Sequence, residues 1–159
     1  MVPSVLIVDD EKHTREGLQQ ALQENYDVSV AGSTDEAFNL MEAQEFNVIL
    51  TDLRMPGVDG LDMVRRFRSV DGTKQVPIIV LSAQEEAVIK AQLFEAGAND
   101  YITKPFHAQE LRARLRALPS NHRRRRVCEH ELARLSFKLR TKARLAPIEF
   151  SAKPSDSGR

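Results

Sequence analysis

Short apolar runs at 5–8, 28–31, 48–51, 77–81 and 100–102 alternate along the chain with segments whose apolar residues recur at helical spacing. Runs this short and rich in Val, Ile and Leu fit strands covered on both faces, and a helical stretch between each pair predicts βαβ units in a parallel sheet. The pattern therefore predicts an α/β fold, a doubly wound sheet of five parallel strands with five helices. The first helix is expected from about Lys12 to Asn25, with Leu18, Ala21 and Leu22 inward. The second follows a Ser33–Thr34 cap and carries Ala37, Phe38, Leu40 and Met41. The third starts near Gly60 with Leu61, Val64 and Phe67. The fourth runs from about Gln84 to Ala96 and stops at Gly97, and the fifth spans about Ala108 to Leu118 and stops at Pro119.

The strand ends carry the chemistry. Asp52 closes the run Val48-Ile49-Leu50-Thr51 and opens a turn, Leu53-Arg54-Met55-Pro56-Gly57-Val58-Asp59-Gly60; Asp9 and Asp10 close Val5-Leu6-Ile7-Val8. If the two runs are neighbouring parallel strands, three carboxylates converge. Like charge and desolvation both disfavour the ionised forms in such a cluster unless a cation occupies it, and the hard oxygen donor set suits Mg²⁺. Ser82 and Lys104 add a hydroxyl and an ammonium at two further strand ends, outside the carboxyl edge where parallel α/β sheets bind ligands. One aspartate at a strand end is explained by capping of the next helix; three with a lysine are not.

The segments VLIVDDE, VILTDLRMPGVDG, PIIVLSA and AGANDYITKPF, in this order, resemble the receiver domain of two-component response regulators, the CheY-like branch of the flavodoxin-like fold. The resemblance implies that Asp52 accepts a phosphoryl group from the phosphohistidine of a sensor histidine kinase or phosphotransfer protein. It implies Mg²⁺ held by Asp9, Asp10, Asp52 and the backbone carbonyl of Arg54. Lys104 and Ser82 would bind the phosphoryl oxygens, and Tyr101 would rotate from exposed to buried as Ser82 moves inward. The Lys104–Pro105 bond would be cis. The fourth helix, fifth strand and fifth helix would form the output face and a possible homodimer surface, with residues 84–96, Tyr101, Arg112, Arg114 and Arg116 on it. Kinase docking would fall on the first helix at Thr14, Arg15 and Leu18. Arg54 and Gln84 would tune how fast water removes the phosphoryl group. In the turn after Asp52, Gly57 and Gly60 allow positive φ and close backbone approach. A receiver is a signalling domain, not an enzyme beyond a weak autophosphatase activity.

Charge divides the chain. Residues 1–118 hold 12 Lys+Arg against 19 Asp+Glu, a net of −7, whereas 119–159 hold 11 against 4, a net of +7. The expected organisation is a receiver at 1–118 and a basic C-terminal extension at 119–159, disordered over about its last seven residues. Within it, 127–145 fits a helical face through Leu132, Leu135 and Leu139, or a strand through Phe137 and Leu139. The stretches around Ala133–Phe137 and Pro147–Phe150 faintly resemble parts of winged-helix outputs, although 41 residues are too few for a whole one. Arg123–Arg126 could bind nucleic acid phosphates through counterion release, without reading sequence, or the stretch could serve as a solvated linker or a tail that folds back on the acidic receiver. The single cysteine, Cys128, excludes an internal disulfide, and neither a membrane span nor a signal peptide is seen, so a cytoplasmic setting is expected.

Two other readings compete. A Mg²⁺-dependent phosphohydrolase with an aspartyl nucleophile needs that residue after the first strand with a second Asp two positions on, and Asp9-Asp10-Glu11 lacks the spacing. A phosphate-independent, receiver-like adaptor is expected to lack the lysine or one acid, and both are present.

Overall fold

The computed structural model describes residues 2–118. The expectations for 119–159, the basic extension with Arg123–Arg126, lie outside the described residues. Five parallel strands, β1 (Ser4–Val8), β2 (Asp27–Ala31), β3 (Val48–Asp52), β4 (Ile78–Ser82) and β5 (Asp100–Thr103), form one sheet in the order β2-β1-β3-β4-β5. The helices between and after them are α1 (Lys12–Leu22), α2 (Thr34–Ala43), α3 (Gly60–Ser69), α4 (Ala87–Ala96) and α5 (Ala108–Ala117).

Side chains alternate across each strand, so the sheet builds two cores. Leu6, Val8, Ile49, Ile78 and Val80 face one layer with Val64 and Phe67 of α3 and Leu93 of α4. Val5, Ile7, Leu50, Ile79 and Leu81 face the other, with Leu18 and Leu22 of α1 and Leu111 and Leu115 of α5. Helices on both faces make the sheet doubly wound. Strand order reverses at β1, whose neighbours are β2 and β3, and the crevice at such a reversal is where this class of sheet places its ligands.

Local chemistry sets the element ends. Ser33 Oγ accepts from the Glu36 N–H at 3.2 Å while Glu36 Oε2 accepts from the Gly32 N–H at 2.7 Å, a reciprocal cap for α2. Gly97 ends α4 at φ 112°, and its N–H returns to the carbonyls of Leu93 and Phe94. Helix α4 begins at Ala87, three residues later than the apolar period suggests. The Gln84 peptide is committed elsewhere: its N–H donates to Ser82 Oγ at 3.1 Å and its carbonyl accepts from the Tyr101 hydroxyl. No described helix is long and apolar enough to cross a membrane.

Candidate functional site: a carboxylate cluster at the strand ends

Register fixes the site. Val8 of β1 lies opposite Thr51 of β3, so Asp9, one step beyond β1, stands beside Asp52 at the end of β3. The Asp9 N–H donates to the Ala31 carbonyl at 3.1 Å, and its side chain is buried at 1% exposure. Asp52 is half-buried and Asp10 exposed. One carboxylate oxygen from each of Asp9, Asp10 and Asp52 lies within 4.8 Å of the others. Oxygen donors this close, one buried, match what a hard divalent ion requires. A cleft of about 560 Å³ opens beside Asp10, between the start of α2 and the turn after β3.

Lys104 closes the cluster from β5. Its Nζ lies 3.2 Å from Asp9 Oδ2 and 3.3 Å from Asp52 Oδ2, and the Lys104–Pro105 bond is cis, as the sequence led us to expect. Burial alone pulls this ammonium down, but the charges of Asp52 and Asp9 and its hydrogen bonds to both outweigh burial, so its pKa rises. Asp9 also titrates above the ordinary carboxylate value. Burial drives that rise and Asp52's charge adds to it, while the Glu11 N–H at 2.8 Å on Asp9 Oδ1 and Lys104 only partly oppose it. The other Asp52 oxygen, Oδ1, accepts from the Arg54 N–H at 3.3 Å.

Ser82, 1% exposed at the end of β4, is one strand from Asp52, and its backbone carbonyl accepts from the Lys104 N–H at 2.8 Å. Tyr101 is already buried at 7% exposure, with the Lys90 ammonium 5.0 Å above its ring. The sequence reading linked Ser82 and Tyr101 only as a moving pair; here both grip the peptide groups of Gln84. In the turn after Asp52, Gly57 takes the positive φ, at 75°, and Gly60 takes the close approach, because a Cβ there would lie 2.9 Å from Leu53 Cα and closer still to the Leu53 carbonyl oxygen.

Two surface assignments need correction. Leu18 is 5% exposed against the β-sheet, so the apolar core claims it and it is not a docking contact. Arg112 turns toward α1, donating from Nε to the Ala21 carbonyl at 3.0 Å, and so leaves the α4–β5–α5 face, while Arg114 stays there bound to Asp100 and Glu110.

Two sets of contacts were not expected from the sequence, one of them made by Arg15, which the resemblance placed on the docking face. Arg15 Nη1 donates to the Asp9 carbonyl at 2.6 Å. Arg68, its pKa lowered by burial, donates to the carbonyls of Val76 and Gly97 and to Asn99 Oδ1, tying the end of α3 to the end of α4. Arg15 reaches back only six residues, whereas Arg68 also spans about thirty to Gly97 and Asn99, and an arginine on a helix reads as solvent-facing until its neighbours are known.

The sequence matches the family model of the response regulator receiver domain over residues 5–116. Over 115 residues it is 42% identical to the transcriptional regulatory protein ResD of Bacillus subtilis, covering 72% of this chain and 47% of ResD. The chain spans about half the length of the curated relatives it matches. Among solved structures, the chemotaxis protein CheY4 of Vibrio cholerae superposes with a TM-score of 0.72 at 28% identity, over 75% of this chain and 100% of that one. The receiver domain of sensor histidine kinase PA1611 from Pseudomonas aeruginosa, solved with a magnesium ion coordinated in its active-site cleft, gives 0.66 at 30% identity, over 74% and 97%. With the sheet order, the strand-end carboxylates and a family match across nearly all the described residues in agreement, the chain belongs to the response regulator receiver family of two-component signalling.

Proposed function

We propose that this receiver is phosphorylated on Asp52 and that Asp9, Asp10, Asp52 and the Arg54 carbonyl hold Mg²⁺. The observation that carries the reading is the convergence of three carboxylate oxygens within 4.8 Å, with Lys104 Nζ 3.3 Å from the proposed acceptor. When bound, the ion would neutralise charge between the acceptor and the incoming phosphoryl oxygens.

A sensor histidine kinase or phosphotransfer protein is the proposed donor, in a cytoplasmic setting. An Asp52 oxygen attacks the phosphorus of the donor's phosphohistidine; the O–P bond forms as the N–P bond breaks, and the imidazole leaves with that electron pair. A carboxylate is a weak nucleophile, but phosphoryl transfer has a loose transition state, so positioning and charge neutralisation dominate. Lys104 supplies a compact positive charge to the phosphoryl oxygens and Ser82 Oγ a hydrogen bond, which together favour one conformer of the α4–β5–α5 face. A slow return to the carboxylate by attack of water is the only enzymatic activity proposed. For output we propose control of a partner through that face, as a homodimer or with another protein, with 119–159 as a separate basic extension.

Mass spectrometry after incubation with acetyl phosphate and MgCl₂ tests the acceptor. One added phosphoryl group is expected on the full chain and on the 1–118 fragment, and none on Asp52→Asn. Equal labelling of the variant refutes the assignment, and an unlabelled but folded wild type favours the phosphate-independent adaptor.

A further inference from the structure

We propose that Arg15 is a positioning residue for the cation site, acting on the peptide unit that joins Asp9 to Asp10; this rests on the reading of those acids as cation ligands. The β1 ladder ends at Val8, opposite Ala31 and Thr51, so the Asp9 carbonyl emerges beyond the last ladder position. A polar backbone group needs a partner there, and Arg15 Nη1, reaching back from the first turn of α1, provides one at 2.6 Å. That bond is charge-assisted and short.

The carbonyl belongs to the planar unit between the two acids, so holding it fixes the backbone rotation that aims both side chains. Asp9 has other anchors: its N–H on Ala31 and its Oδ1 on the Glu11 N–H. Asp10 is exposed, and the orientation of its backbone comes from the peptide unit that Arg15 holds. Gly32, one residue beyond β2, makes room for the clamp. A Cβ at Gly32 would stand 3.1 Å from Arg15 Nη1 and 3.3 Å from its Cζ, so the guanidinium packs directly over this glycine.

Charge and position give opposite signs for this residue. As a cation close to a divalent ion, Arg15 would weaken Mg²⁺ binding, and its removal would tighten it. As a positioning residue it strengthens binding, and its removal loosens it. The sign of the Arg15→Ala effect therefore decides the matter.

The test is calorimetric titration of MgCl₂ into the full chain without phosphodonor, with cooperative melting as the check on folding. Arg15→Ala should weaken Mg²⁺ binding by about tenfold, the scale seen when supports of metal ligands are removed. Arg15→Lys, which keeps a donor and the charge, should recover part of the loss. Gly32→Ala should weaken binding in the same direction but by less than Arg15→Ala, because its Cβ pushes the guanidinium by only tenths of an ångström. The double variant Arg15→Ala/Gly32→Ala should be no weaker than Arg15→Ala alone, because both changes break one contact. Unchanged or tighter binding by Arg15→Ala overturns the proposal and leaves the cation site standing. If Arg15→Ala does not fold, Arg15→Met, which keeps the aliphatic stem and removes the donor, decides by the same criterion. A wild type that takes up no Mg²⁺ sinks the cation-site reading itself, and the role of Arg15 with it.

Discussion

Replacing Asp9 by Asn should stabilise the protein without divalent cations and remove its response to them. Lys104 lies 3.2 Å from Asp9 Oδ2, and the Asp52 carboxylate approaches within 4.8 Å. At an effective dielectric of about 20, these distances correspond to roughly 5 kcal/mol of attraction and 3–4 kcal/mol of repulsion. Exposed Asp10 adds up to about 1 kcal/mol of further repulsion, so the Coulomb terms nearly cancel. What remains is the burial of a carboxylate at 1% exposure, which agrees in sign with its raised pKa. Asn keeps an Oδ1 acceptor for the Glu11 N–H and removes the buried charge, but its Nδ2 replaces the Oδ2 acceptor, so the Lys104 ammonium turns fully to Asp52 Oδ2 and part of the gain is lost. A gain on the order of 1 kcal/mol is expected, the usual scale of a single substitution that removes an unfavourable buried charge, or roughly 3–6 °C in Tm for a domain of this size.

The pH dependence has a definite sign. The unfolded carboxyl titrates near 3.8 and the folded one above it, so the charged Asp9 lowers stability fully above its folded pKa and not at all below 3.8. The gap between variant and wild type should be largest near neutrality and close as pH falls through that window. With saturating MgCl₂ the order reverses, because the wild type gains RT ln(1 + [Mg²⁺]/Kd), about 2.7 kcal/mol at a hundredfold excess over Kd, and the variant gains far less. Thermal melts of both chains with and without MgCl₂ measure all four quantities. An Asn variant that melts below wild type without Mg²⁺, or that gains equally from it, would refute the reasoning.

Lys104→Ala leaves Asp9 buried beside Asp52 without its cation, and should lower stability by about 1–3 kcal/mol, discounted for the lysine's partial exposure. Since the folded ammonium titrates above the usual 10.5, the wild-type advantage should hold at neutral pH and vanish as pH rises through that higher value; denaturant midpoints across pH read it. The same variant should still be phosphorylated by acetyl phosphate but show no change at the α4–β5–α5 face, visible as amide exchange in α4 that is the same with and without phosphodonor. Gly60→Ala forces a Cβ against the Leu53 backbone, which cannot yield without moving Asp52 beside it. Urea unfolding should show a loss of about 3 kcal/mol together with slower labelling, and a loss below about 1 kcal/mol would mean that the turn relaxes freely.

The sequence by itself determined the sheet, its helices and the strand-end position of every group proposed for the chemistry. Runs buried on both faces are legible because burial demands unbroken apolar residues, and Asp9, Asp10, Asp52, Ser82 and Lys104 each follow such a run directly. The Ser33 cap of α2 and the terminal glycine of α4 were legible as well, since short-range geometry sets residue type there, whereas the bond from the Gly32 N–H to Glu36 was not read from the sequence. Only the tertiary structure decided which of those strand ends are neighbours, because the register of Val8 with Thr51 depends on packing between segments some forty residues apart. It shortened α4, whose first residues surrender the Gln84 peptide to Ser82 and Tyr101. It kept Leu18 in the core, where its helical spacing had put it, instead of on the docking face, and turned Arg112 toward α1. It also gave Arg15 a partner in the Asp9 carbonyl. The direction of a long side chain follows from what lies across the gap, and no local pattern encodes that.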